Sequence, residues 1–300
     1  HYYNKTAVEI VGMIIDDIFR ITGITASCGI GDNMFLAKVA LDVLAKHQPT
    51  HIAYLNQDLF KRHIWDIMPL RDIWGIGAGV EKRLNRMGIY TLRDLAHFPL
   101  SGLEKEFGIL GRELLEHAYG IDHSTIKEVR NYLPQSKSFG HGQILYRDYN
   151  YRDLEILITE TVDEIATELV TRKLTCRLIA LGVGYSKNVG GGFSRQMVLP
   201  CQTNSRKLLM DSFHYLYYKH VKDLPIRALY VRVGKLANED YIQLDLFNDT
   251  EKTRKEHDLY QAIGQIKHRY GNNAVHLAIS KTEKSTFIKR NELIGGHNAE

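Results

Sequence analysis

Near residue 136 the hydrophobic period of this chain changes, and that change constrains the fold more than any other feature. An alternating stretch (136–146) leads into apolar spacing of helical period (151–172). A second alternating stretch (174–186), the turn Asn188-Val189-Gly190-Gly191-Gly192 and a third (193–201) read as a hairpin. A helix (205–221) and a final strand (226–235) complete the order βαββαβ. This order predicts a small sheet with both helices on one face and the other face free for a ligand. Upstream, Val8, Val11, Ile14, Ile15 and Ile18 repeat at helical spacing, followed by short strands at 24–30 and 52–54 around a helix over 34–46 that Asp32 or Asn33 can cap. Residues 56–120 read as short helices broken by glycine and proline, and 121–135 as a polar linker. A helix over 251–270 and an irregular end follow the sheet. The fold class is α+β.

Within the helical region, Ile73 to Ala96 reads IWGIGAGVEKRLNRMGIYTLRDLA. A tight Gly75-Ile76-Gly77 turn precedes an amphipathic helix with Val80, Leu84 and Met87 on one face. Gly88-Ile89 breaks that helix, and Thr91 to Asp94 opens another in capping-box form. Glycines can turn backbone N–H groups outward at a helix start, which makes a site for anions. The pattern is that of a helix-hairpin-helix, a module that holds a nucleic-acid backbone without reading bases. Gly75, Gly77, Lys82 and Arg83 are its candidate DNA-binding residues.

Charge points the same way. Residues 1–133 hold 15 Lys/Arg against 16 Asp/Glu, residues 134–240 hold 15 against 11, and residues 241–300 hold 9 against 8. The net excess of +4 therefore sits in the sheet-forming segment, where five acids (Glu155, Glu160, Asp163, Glu164, Glu168) share one helix. The strands are then expected to be basic, as a phosphate backbone requires. No apolar run approaches a membrane span. Cys28, Cys176 and Cys201 have no zinc or CxxC spacing, so the expected compartment is a reducing cytoplasm.

The order of parts resembles the Y-family translesion DNA polymerases, in the UmuC/DinB-like bacterial branch. Cys28-Gly29-Ile30-Gly31-Asp32-Asn33-Met34-Phe35-Leu36-Ala37-Lys38 is similar to that family's SxGIxxNxxLAK segment. Trp74-Gly75-Ile76-Gly77 is similar to its thumb hairpin, Lys137-Ser138-Phe139-Gly140-His141-Gly142 to the opening strand of its little finger, and Ile294-Gly295-Gly296-His297 to its closing segment. The resemblance implies the end of a palm (1–55), a helical thumb with a helix-hairpin-helix (56–120), a linker (121–135), a little finger (136–240) and a tail (241–300). It gives Lys38 a role on the nucleotide triphosphate, and Lys137, Ser138, Lys187, Arg195 and Arg232 a role on DNA phosphates.

Gln243-Leu244-Asp245-Leu246-Phe247 resembles the pentapeptide by which bacterial polymerases hold the sliding clamp. Leu244, Leu246 and Phe247 would fill apolar pockets, and Gln243 would bond at the rim. Family members work with two Mg²⁺ ions, dNTPs and primer–template DNA. Their metal-binding carboxylates, an early Asp and an SxDE-type pair, have no counterpart here. Asp16-Asp17 reads as a solvated helix face. The expected role is the DNA- and clamp-binding portion of a lesion-bypass polymerase, with no metal site of its own. The alternative is a non-catalytic damaged-DNA- and clamp-binding protein from an interrupted gene. A structure-specific nuclease is disfavoured because no carboxylate cluster accompanies the hairpin.

Overall fold

The computed structural model describes residues 4–132, 137–239 and 250–294. They form two compact units that divide between residues 133 and 134.

In the first unit, α1 (Ala7–Thr22) starts at a capping box of Thr6 and Glu9. No residue of α1 is buried, and Val8, Ile14 and Ile18 of the expected apolar stripe stay exposed. β1 (Cys28–Gly31) pairs in parallel with β2 (Ile52–Leu55), and α2 (Met34–Val39) lies between them in sequence. β1 is shorter than the stretch read from sequence, and α2 continues through a π-helical turn, Ala40–Leu44. A Cβ at Gly29 would come within 2.1 Å of the Ala37 carbonyl, and one at Gly31 within 2.3 Å of the Ala37 nitrogen. The glycines of this segment are therefore spacing devices that let helix and strand touch.

Five more helices follow: α3 (Gln57–His63), α4 (Ala78–Arg86), α5 (Leu92–His97), α6 (Leu100–Phe107) and α7 (Ile109–Ala118). One core joins them to the β1–β2 segment, running from Phe35, Leu36 and Leu55 through Phe60 and Leu84 to Leu95 and Leu114. The boundary drawn at residue 55 thus crosses a continuous core. The segment read as an irregular linker holds a helix, α8 (Ile126–Asn131), with a capping box of Thr125 and Glu128.

The second unit has the order read from sequence. Its elements are β3 (Ser138–Tyr149), α9 (Leu154–Thr171), β4 (Leu174–Tyr185), β5 (Gly192–Thr203), α10 (Arg206–His220) and β6 (Ile226–Gly234). The strands lie in the order β3-β6-β4-β5, all antiparallel, and β7 (Ala237–Asn238) pairs with the start of β4. Leu157, Ile158, Ile165 and Phe213 of the helices pack on Ile179, Leu181, Leu229 and Val231 of the strands. Alternation then sends the intervening strand residues to the opposite face.

The carboxyl-terminal part packs against α9. α11 (Thr250–Tyr270) brings Tyr260, whose hydroxyl donates to Asp163 at 2.6 Å, and Arg206 donates to the same oxygen at 2.7 Å. Ser285 donates to Glu160 at 2.6 Å, and Arg290, on α12 (Phe287–Asn291), pairs with Glu164. Three of the five acids that share α9 are therefore covered and paired.

Candidate nucleic-acid interface

Strand register sorts the sheet's side chains. Arg232 lies opposite Gly140 on β3 and Ala180 on β4, and Tyr230 opposite Gly142 and Gly182. Ser138 stands opposite Gly234 on this same face, and Ser194 and Gln196 of β5 join it through Gly182 and Ala180. Ile144 is 75% exposed, Val198 52% and Tyr230 51%, so none of the described residues covers this face. It is unusually smooth. A Cβ at Gly140 would meet the Arg232 Cβ at 2.9 Å, and one at Gly142 the Tyr230 ring at 2.6 Å. The Tyr230 ring therefore lies flat over Gly142, and β3 runs close against β6 at Gly140, so no β3 side chain stands up between them.

The expectation of a basic sheet is corrected here. Arg232 is the only cation that the strand register places on the open face among the described residues. Arg195 lies opposite Leu181, a core residue, and therefore points to the helix-bearing face. The signal was present in the sequence, since Phe193, Met197 and Leu199 share its parity and pack on the core. Lys137 precedes β3 and is exposed, and Lys187 stands exposed in the β4–β5 turn.

In the first unit, Gly75 has φ +90°, a conformation side chains resist, and Gly77 is the N-cap of α4 with no side-chain bond. A Cβ at Gly75, Gly77 or Gly79 would meet nothing within 4 Å. The turn is therefore uncrowded, and no N-cap side chain bonds to the first N–H groups of α4. Glu81 steadies the turn by accepting the Arg71 N–H at 3.2 Å, and Thr91 and Asp94 form the expected capping box on α5. Lys82 is exposed and has no ion pair among the described residues. Arg83 is committed elsewhere: it donates to the Glu106 carboxylate at 2.7 Å and lies 4.3 Å from the Phe107 ring centre, tying α4 to α6. Arg83, a candidate DNA-binding residue by sequence, is thus engaged within the protein.

Residues 2–42 match a sequence profile described as the impB/mucB/samB family, residues 71–122 one described as the thumb domain of DNA polymerase iota, and residues 136–246 one described as the impB/mucB/samB family C-terminal domain. The chain is 37% identical over 298 residues to "Putative UV-damage repair protein UvrX" of Bacillus subtilis, covering 97% of this chain and 70% of that protein. The chain belongs to the Y-family, UmuC/DinB-like bacterial polymerases. "DNA polymerase IV 2" of B. subtilis is 34% identical over 297 residues, again 97% of this chain and 70% of the relative. "DNA repair protein homolog YobH" of the same organism is 42% identical over 194 residues, 64% of this chain and 88% of the relative.

The remaining residues singled out from the Y-family resemblance are placed as follows. Lys38 pairs with Asp42 at 2.9 Å, and Lys46 holds the other oxygen at 2.8 Å. Burial alone would raise the Asp42 carboxyl, but hydrogen bonds from the two lysines outweigh it and keep it below the usual carboxylate range. Asp16 and Asp17 are exposed, and Asp17 pairs with Arg20 at 2.8 Å. Among the described residues no group of three His, Cys, Asp or Glu could hold a metal ion. No helix among them is long and apolar enough to cross a membrane. Gln243, Leu244, Leu246 and Phe247 lie outside the described residues.

Sequence reasoning missed Asp122. It accepts the Phe35 N–H at 3.1 Å and the Ser124 N–H at 2.9 Å, while Asn33 donates to the Gly120 carbonyl at 2.8 Å. Burial pushes the Asp122 carboxyl up, and these bonds, Ser124's first, bring it below its ordinary value. The loop before α2 is thereby fixed by residues almost ninety positions away, a pairing with no local signature.

Proposed function

We propose that this chain is the DNA-holding part of a lesion-bypass polymerase, with the end of a palm, a thumb and a little finger in that order. The duplex backbone lies along the open sheet face, with Arg232 on a phosphate and Lys137, Ser138 and Lys187 at the margin. The N–H groups at the start of α4, with Lys82 beside them, take a second stretch of backbone. The observation that carries this reading is the uncovered, glycine-floored face around Tyr230 and Arg232. Such a face binds phosphate and sugar without testing base shape, and tolerance of damaged bases needs that property.

QLDLF attaches the protein to the bacterial sliding clamp, and Lys38 meets the triphosphate of a dNTP once released from Asp42. Nucleotidyl transfer needs two Mg²⁺ held by carboxylates that the described residues do not bring together, so the role proposed for this chain is binding. Primer extension beside a binding assay tests it. The expected outcome is a shifted primer–template band without added nucleotides. Incorporation from dNTPs and Mg²⁺, lost on Lys38→Ala, would overturn the binding-only reading.

A further inference from the structure

Arg195, misplaced for a duplex on the open sheet face, has other company. It lines a cavity of about 670 Å³ on the helix-bearing side, together with Lys219 and His220 at the end of α10 and Lys222 just beyond. The glycine turn Gly190–Gly192 and the Phe193 ring complete the wall. The three cations come from two segments, Arg195 from β5 and Lys219 and Lys222 from the end of α10 and the residues just after it, and none of the three has a carboxylate partner among the described residues. Lys219 meets Tyr215, its hydroxyl at 3.0 Å and its ring centre at 5.1 Å, and Arg195 donates to the Ser194 carbonyl at 2.9 Å. Four cations elsewhere in the same unit do have carboxylate partners: Arg206 pairs with Asp163, Lys207 with Asp211, Arg227 with Asp148 and Lys284 with Asp153. Asp223 follows Lys222 in sequence but does not line the cavity, and its field acts on Arg152.

We propose that this cavity is a second nucleic-acid site, which takes a phosphate and its nucleotide from single-stranded DNA. The inference rests on the reading of the chain as a DNA-binding protein. Unpaired cations around one hollow repel each other, and an anion relieves that repulsion. The turn adds backbone to the charge: Gly190 and Gly191 have φ +72° and +74°, and the Gly191 N–H donates to no described residue. The Phe193 and His220 rings, with centres 6.0 Å apart and planes tilted by 45°, put aromatic faces beside the cations, and aromatic faces with cations are the combination that holds single strands by stacking and charge. A hollow of this volume has room for one nucleotide. Because Arg195 and Arg232 point to opposite faces of the sheet, one duplex lying on the open face cannot engage both.

The test uses the full chain and two fluorescent probes, an oligo-dT single strand and a primer–template duplex. Arg195→Ala with Lys222→Ala is expected to weaken oligo-dT binding about tenfold and to reduce its log–log salt slope by about 1.4, two phosphates at about 0.7 each. Duplex affinity should change less than about twofold, since the duplex lies on the other face. A thermal midpoint equal to that of the parent verifies the fold. Unchanged oligo-dT binding overturns the proposal, and so does equal weakening for both probes, which would mean one shared surface. Inorganic phosphate provides the third arm. If it binds the parent and not the variant while oligo-dT binds both alike, the cavity takes free phosphate and the strand assignment is wrong. Failure to bind the duplex at all would instead sink the DNA-holding reading.

Discussion

Arg83 is held between Glu106 and the Phe107 ring, and that company makes it a clasp between α4 and α6. Both partners are part-exposed, so Arg83→Ala is expected to cost about 1 kcal/mol in denaturant unfolding and to leave the salt slope of DNA binding unchanged. A lower slope would return Arg83 to the interface. His117 gives a pH test. It stacks on Phe35 with ring centres 4.2 Å apart, and burial pushes its pKa below the ordinary value of 6.5. The unfolded chain therefore takes up the proton first. The stability from neutral His117 is complete above pH 6.5 and is lost as pH falls through the lower folded pKa. The thermal midpoint should fall on acidification from about pH 7.5 to 5.5 more steeply in the parent than in His117→Phe. Parallel curves would mean that His117 is as free in the fold as in the unfolded chain.

At the scale of elements, α9 depends on the tail. Asp163 accepts from both Arg206 and Tyr260, and its side chain is 10% exposed. Asp163→Ala leaves Arg206 half-buried without its counter-charge and should cost about 3 kcal/mol in urea unfolding, since breaking a buried pair costs about 3–5 kcal/mol. A loss below about 1 kcal/mol would show the pair to be solvent-screened. The βαββαβ order was legible because its periods are long and its turn is rich in glycine. Glu160 and Asp163 were not legible as buried acids, nor Glu164 as a half-buried one, because their partners Ser285, Tyr260 and Arg290 lie about a hundred residues or more away. α8 was missed because six residues show no period, although Thr125 and Glu128 carried a capping-box spacing. Arg195 was put on the wrong face by counting charge in a strand without following its parity.

At the scale of the whole molecule, backbone grip on the DNA is non-specific, and a second attachment raises the local concentration at the primer end. QLDLF is the proposed attachment. Leu246→Ala with Phe247→Ala should abolish binding to the sliding clamp in a titration and leave the melting curve unmoved. Early melting would mean that these side chains belong to this protein's own core, where such truncations cost about 2–5 kcal/mol each. The central claim is that the open face of the sheet holds duplex backbone, and Arg232 is its cation. The most direct measurement is primer–template affinity against salt for the parent and for Arg232→Ala. The account predicts weaker binding for every duplex sequence tried, with the log–log slope reduced by about 0.9 for one lost phosphate contact. An unchanged affinity and slope would contradict it, and would mean that the duplex does not lie on this face.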